Sequence, residues 1–135
     1  MTYPPPGAAR ARYMADSITT ASPGRLLVML YDRLVQDIAQ GEEAIREGNR
    51  SVAAERLMHA QDIVSELLAT LDLTAWEGAA NVAALYRWML QELVQANIKQ
   101  DAAKAASTKD LATELRDAWR EAAMAVGGAS APGSA

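Results

Sequence analysis

His59, Asp62 and Glu66 stand at spacings of three and four, so a helix would gather one imidazole and two carboxylates on a single face. Such a trio could bind a divalent cation or move a proton, and its ordinary alternative is a solvated face with a local ion pair. Little else supports catalysis. His59 is the only histidine and the chain has no cysteine, so neither a His-rich nor a thiolate zinc site can be assembled, and no Glu-x-x-His pair of a di-iron centre is present. Ser17, Ser22, Ser65 and Ser107 lack a Gly-x-Ser-x-Gly setting. The glycines form neither a phosphate loop nor a dinucleotide fingerprint. The expectation is a protein that is not an enzyme and has no cofactor or metal.

A second set of residues points to binding. Trp76, Trp88, Trp119, Tyr31 and Tyr86 combine large apolar faces with a polar donor, which suits either an interface or internal packing. If they line a groove between helices, an amphipathic helix could fill it and supply the missing packing partner. A guest that is unfolded beforehand gives up affinity to ordering but can wrap a large area. Homodimerisation would cover the same residues with a second copy.

The elements that must position these side chains follow from hydrophobic spacing. Ser22-Pro23 reads as a cap followed by a proline at the first helical position, where its missing N–H costs nothing. Leu27, Leu30, Leu34 and Ile38 then form a stripe, with Arg33, Asp37 and Gln40 left to water, and the helix should end near Glu47 at Gly48-Asn49. A second helix spans about 50–72, with Ala53, Leu57, Ala60, Val64, Leu67 and Leu71 as a bundle seam widened by Ile63 and Leu68. Thr74-Ala75-Trp76-Glu77 fits a capping box, which would start a third helix there and carry it to about Asn97 through Val82, Leu85, Met89, Leu93 and Ala96. Gly78 weakens that start and would allow it to slide towards Asn81. Ser107 or Thr108 would cap a fourth helix that Gly127-Gly128 stops.

Short links between helices favour antiparallel neighbours, so the expected fold is all-α: an antiparallel up-down-up-down helical bundle with a short mobile N-terminal segment. Residues 1–21 would be a flexible arm in which Tyr13, Met14 and Ile18 could form a short docking turn, 22–126 the four-helix bundle, and 127–135 a disordered tail. The 135 residues suit one domain, and the longest apolar runs fall far short of the roughly 20 residues that span a bilayer. The opening Met-Thr-Tyr-Pro-Pro-Pro lacks a signal-peptide pattern, so a soluble protein without membrane insertion is expected, and the absence of cysteine is compatible with a reducing cytoplasm. Net charge is −4, with three arginines against one aspartate before residue 26 and nine acids against four bases in 26–72. Nucleic acid is therefore an unsuitable partner.

Tyr13, Thr20-Ala21-Ser22-Pro23, Leu26-Leu27-Val28-Met29-Leu30-Tyr31-Asp32, Ala44-Ile45, Ala60-Gln61-Asp62-Ile63-Val64, Glu66-Leu67 and Leu71-Asp72 occur in an order that resembles the flagellar secretion chaperone family, which binds flagellin. The likeness continues through Asn81, Leu85-Tyr86, Leu93, Ala96-Asn97 and Leu115-Arg116-Asp117-Ala118-Trp119, covering roughly 13–122. It implies a cytoplasmic export chaperone that holds the disordered C-terminal region of flagellin, prevents premature polymerisation and assists type III flagellar secretion, with export-gate components as further partners. By the same resemblance Tyr13 and Ile18 belong to a movable segment near the binding surface. Ile63, Leu67, Leu85, Tyr86 and Met89 contribute to that surface, and Tyr31 and Asn81 organise it. Two departures stand out: Trp76-Glu77-Gly78-Ala79-Ala80 replaces the family's Gly-Gly-like turn, and the start is proline-rich. The alternative is a homo-oligomeric structural or adaptor bundle, a homodimer for example, that does not bind flagellin.

Overall fold

The computed structural model describes residues 23–129, with side chains through 125. Among them are four helices and no strand: α1 (Pro23–Arg46), α2 (Arg50–Thr70), α3 (Ala79–Lys99) and α4 (Ala102–Ala129). The expected Ser22 cap, the 1–21 arm with Tyr13 and Ile18, and the end of the 127–135 tail lie outside the described residues. Helix α1 packs on α4 and α2, α2 on α3, and α3 less extensively on α4, which closes an antiparallel four-helix bundle.

Spacing determines which faces meet. On α1 the buried set is Tyr31, Leu34, Asp37, Ile38, Gly41 and Ala44. On α2 it is Ala53, Leu57, Ala60, Ile63, Val64 and Leu67, most of the seam expected from the sequence; Leu68 is only partly buried, as is Leu71, which lies just past the helix end. Gly41 lies within α1 where the helix approaches α2 closely: a Cβ there would lie 2.7 Å from Leu57 Cδ2. Helix α1 ends as Gly48 turns to φ 75°, which returns the Asn49 amide to the Ala44 carbonyl at 2.8 Å. The Asn49 side chain then caps α2 by accepting from the Val52 amide at 3.2 Å.

The connections differ from expectation at two points. The Thr74–Glu77 capping box does not form, because the Asp72 carboxylate already accepts from both the Thr74 amide (2.9 Å) and its hydroxyl (2.7 Å). Helix α3 accordingly starts at Ala79, with Gly78 as a cap that offers no side-chain acceptor. The fourth helix starts earlier than Ser107, at Ala102, where the Asp101 carboxylate accepts from the Lys104 amide at 3.1 Å. Ser107 and Thr108 lie inside α4, their hydroxyls donating to the Lys104 carbonyl. Gly127 and Gly128 do not stop α4, which runs on to Ala129.

Charged side chains tie α1 to α4 at two levels. Asp32 meets Arg116 and Arg120 at 3.4 and 3.1 Å, and Glu42 accepts from Lys109 at 2.7 Å and from Arg46 at 3.1 Å. Partial burial pushes the Glu42 carboxyl up, but the hydrogen bonds from Lys109 and Arg46 outweigh it and hold the group below its ordinary range. A lowered carboxyl pKa contributes stability above the unfolded-chain value, and this is lost as pH falls through the folded one. The stability advantage of wild type over Lys109→Met should therefore be present at neutral pH and shrink as urea titrations are moved below about pH 4. An advantage that stays constant into acid would contradict this.

Candidate functional site

The catalytic trio suggested by His59, Asp62 and Glu66 does not form. The His59 ring, at Nδ1, instead pairs with Asp37 Oδ2 on α1, 22 residues upstream. Asp37 is fully buried, with Arg33 Nε and Arg56 Nη1 at 3.6 and 3.7 Å from its other oxygen. This corrects the assignment of Asp37 to the solvated side of α1. The aspartate is held at the α1–α2 contact by groups from both helices, which a single helix pattern cannot register. Among the described residues no group of three or more His, Cys, Asp or Glu side chains could hold a metal ion.

The nine residues singled out for binding fall into three groups. Tyr31, Ile63, Leu67, Tyr86 and Met89 are buried in the bundle interior, each 8% exposed or less. Asn81 is exposed and Leu85 partly buried, both on α3. Tyr13 and Ile18 are outside the described residues. The two tyrosines form a cross-brace between α1 and α3: their hydroxyls are 2.6 Å apart and their rings 6.5 Å, tilted at 42°. Burial is the main reason both phenols are pushed above their ordinary pKa. At Tyr31 the bond to Tyr86 adds to the rise. Both hydroxyls therefore stay protonated, and the brace is neutral.

The accessible part of the set lies where α3 runs beside α4. Two contacts define the register of that pair. At one end Lys104 Nζ reaches Glu92 at 3.4 Å, and at the other Trp76, in the α2–α3 connection, meets Trp119 edge to face with ring centres 6.1 Å apart. An antiparallel register joining them brings Leu85 level with Leu111 and Asn81 level with Leu115. Leu111, Leu115 and Trp119 are partly buried hydrophobics on the edge of the core. The α3–α4 seam, the less extensive of the helix contacts, thus carries partly buried apolar side chains from both helices. Trp88, one turn after Leu85, is exposed beside it.

Sequence reading left Trp119 open between an interface and internal packing and did not place it, Leu111 and Leu115 on the same seam as Leu85. The Lys104–Glu92 charge pair across a short α3–α4 turn was the available signal.

A family model described as Flagellar protein FliS matches residues 6–126. The chain belongs to the FliS family. Among FliS relatives, the flagellar secretion chaperone of Bacillus subtilis is 38% identical over 110 residues, covering 82% of each chain. That of Vibrio cholerae is 31% identical over 105 residues, covering 77% of each. A solved structure titled as a flagellar chaperone from bacteria superposes with a TM-score of 0.71 at 21% identity, over 89% of this chain and 98% of the other. Its agreement extends to the fold. As a FliS-family member the protein is a non-enzymatic chaperone of flagellar export, with flagellar partners. Among the described residues no helix is long and apolar enough to cross a membrane.

Proposed function

We propose that this chaperone binds the disordered C-terminal region of flagellin in the cytoplasm, keeps it from polymerising prematurely and releases it to the type III export machinery. The observation that supports this reading most directly is the α3–α4 seam, where Leu85 of α3 and Leu111 and Leu115 of α4 are only partly buried. An amphipathic segment of flagellin folds along it, burying the apolar residues that would otherwise pair with another flagellin. Asn81 and Leu85 touch the guest. Tyr31, Ile63, Leu67, Tyr86 and Met89 shape the seam from within, and Tyr13 and Ile18 contribute from the leading segment. Handover to export-gate components would then be competitive, with the gate displacing the guest.

The test is co-purification from the native cytoplasm with mass identification of the bound protein, followed by calorimetry with a flagellin C-terminal peptide. Leu85→Glu puts a charge into the seam without emptying the core, and should weaken binding by about 30-fold or more, an effect of roughly 2 kcal/mol for a central contact. Leu67→Glu cannot serve as the probe, because Leu67 is 2% exposed and a charge there would unfold the bundle. Unchanged affinity in a folded Leu85→Glu protein would refute the seam assignment. Tyr13→Ala and Ile18→Ala belong to the same titration. The homo-oligomeric alternative predicts concentration-dependent sedimentation and no affinity for the peptide.

A further inference from the structure

Trp76 occupies a position that no packing requirement of the four helices explains. It lies outside every helix, 46% exposed, yet its ring is set edge to face on Trp119 of α4, at one end of the α3–α4 seam. Three local features hold it there. Asp72 closes a turn on Thr74, the Ala75 amide donates to the Asp72 carbonyl at 3.2 Å, and the Ala79 amide donates to the Trp76 carbonyl at 3.2 Å. The fourth feature is an omission. Gly78 has ordinary helical φ of −76°, so its backbone does not require glycine, but a Cβ at 78 would lie 1.9 Å from Cζ3 of the Trp76 ring. Glycine is needed at 78 to leave room for the indole.

We propose that the face of Trp119 bordering the seam is an anchor subsite for one large apolar side chain of the guest helix, and that Trp76 fills it in the free chaperone. The chain's own indole shows the chemistry of the occupant: an aromatic or large aliphatic group approaching the Trp119 ring from the α3 side. Trp76 is suited to leave, since it is tethered by a loop rather than a helix and is half in water even when docked. Its edge-to-face contact is worth about 0.5–1.5 kcal/mol beyond area burial, small enough for an incoming side chain to replace. Trp76 acts as a competitor for the subsite, and the Trp119 ring as its wall.

The inference rests on the flagellin reading and is tested beside it. Dye-labelled flagellin C-terminal peptide is titrated by fluorescence anisotropy into full-length wild type, Trp76→Ala and Gly78→Ala, with thermal melts confirming the fold. Both variants vacate the subsite, one by deletion and the other by driving the indole out, and both should bind about five-fold more tightly than wild type. In the Trp76→Ala background, adding Trp119→Ala should reverse the gain. Near-ultraviolet circular dichroism reads the Trp–Trp contact independently, and its signal should fall in both single variants and in wild type on peptide addition. Equal or weaker binding by the two variants, or no effect of Trp119→Ala in the vacated background, would overturn the subsite while leaving the flagellin reading intact. No binding by any of the proteins would reject both.

Discussion

Leu57→Ala should cost about 2–5 kcal/mol of folding stability, and Gly41→Ala should be harmful in wild type yet helpful in that variant. Leu57 is fully buried between α1 and α2, so its truncation loses both transfer energy and packing. A methyl at 41 would approach Leu57 Cδ2 and Cγ to 2.7 and 2.8 Å, inside any real carbon–carbon contact, and the leucine has no solvent to retreat into. Overpacking costs about 1–3 kcal/mol, against a helix-propensity gain of up to about 1 kcal/mol for replacing glycine by alanine. Net loss is therefore expected in wild type. With Leu57 shortened the clash vanishes and the propensity gain remains, giving a coupling of about 2 kcal/mol between the two sites in a double-mutant cycle. Urea midpoints of the four proteins measure it, and additivity within about 0.5 kcal/mol would show that the helices separate instead of holding their contact.

Removing one hydroxyl of the tyrosine brace should hurt more than removing both. In Tyr31→Phe the Tyr86 hydroxyl is left buried without its partner, which costs about 1–3 kcal/mol. Tyr86→Phe orphans the buried Tyr31 hydroxyl in the same way. The double Phe variant leaves no orphan and should recover much of the Tyr31→Phe loss. The brace also sets an alkaline limit. Both phenols have raised pKa values in the fold, so their contribution is fully present below the unfolded-chain value near 10. Above it the unfolded chain releases protons that the native one retains, and stability falls by up to about 1.4 kcal/mol per pH unit for a tyrosine that stays protonated in the fold. Wild type should therefore lose stability faster than the double Phe variant between about pH 10 and 11.5. Parallel slopes would mean that the hydroxyls reach water in the native state.

These two sites explain why one face of the bundle differs from the others. Helix α1 is fastened to α2 by the Gly41–Leu57 approach and the Asp37 cluster, and to α4 by Asp32 and Glu42. Among the described residues, helix α3 has the internal tyrosine brace and a single ion pair to α4 near their connecting turn. On the proposed function, this least-fastened pair of helices is where an amphipathic guest would meet least resistance.

The amino-acid sequence alone determined the helical architecture, because apolar residues at spacings of three and four leave each helix one face to bury. The seam of Ala53, Leu57, Ala60, Val64 and Leu67 is the clearest case, and the Gly48-Asn49 turn followed from glycine's access to positive φ. Family membership was also legible, from ordered fragments spread over most of the chain. What periodicity could not decide was which apolar residues remain near water: it places Leu85, Tyr86 and Met89 together, yet only Leu85 reaches the surface. That depends on how far α4 covers α3, a distance between helices that neither helix encodes by itself. The same holds for polar residues whose partners are remote. Asp37 became a buried, partnered carboxyl because α2 brings Arg56 and His59 to it, and Trp76 became a clasp because α4 brings Trp119 within reach.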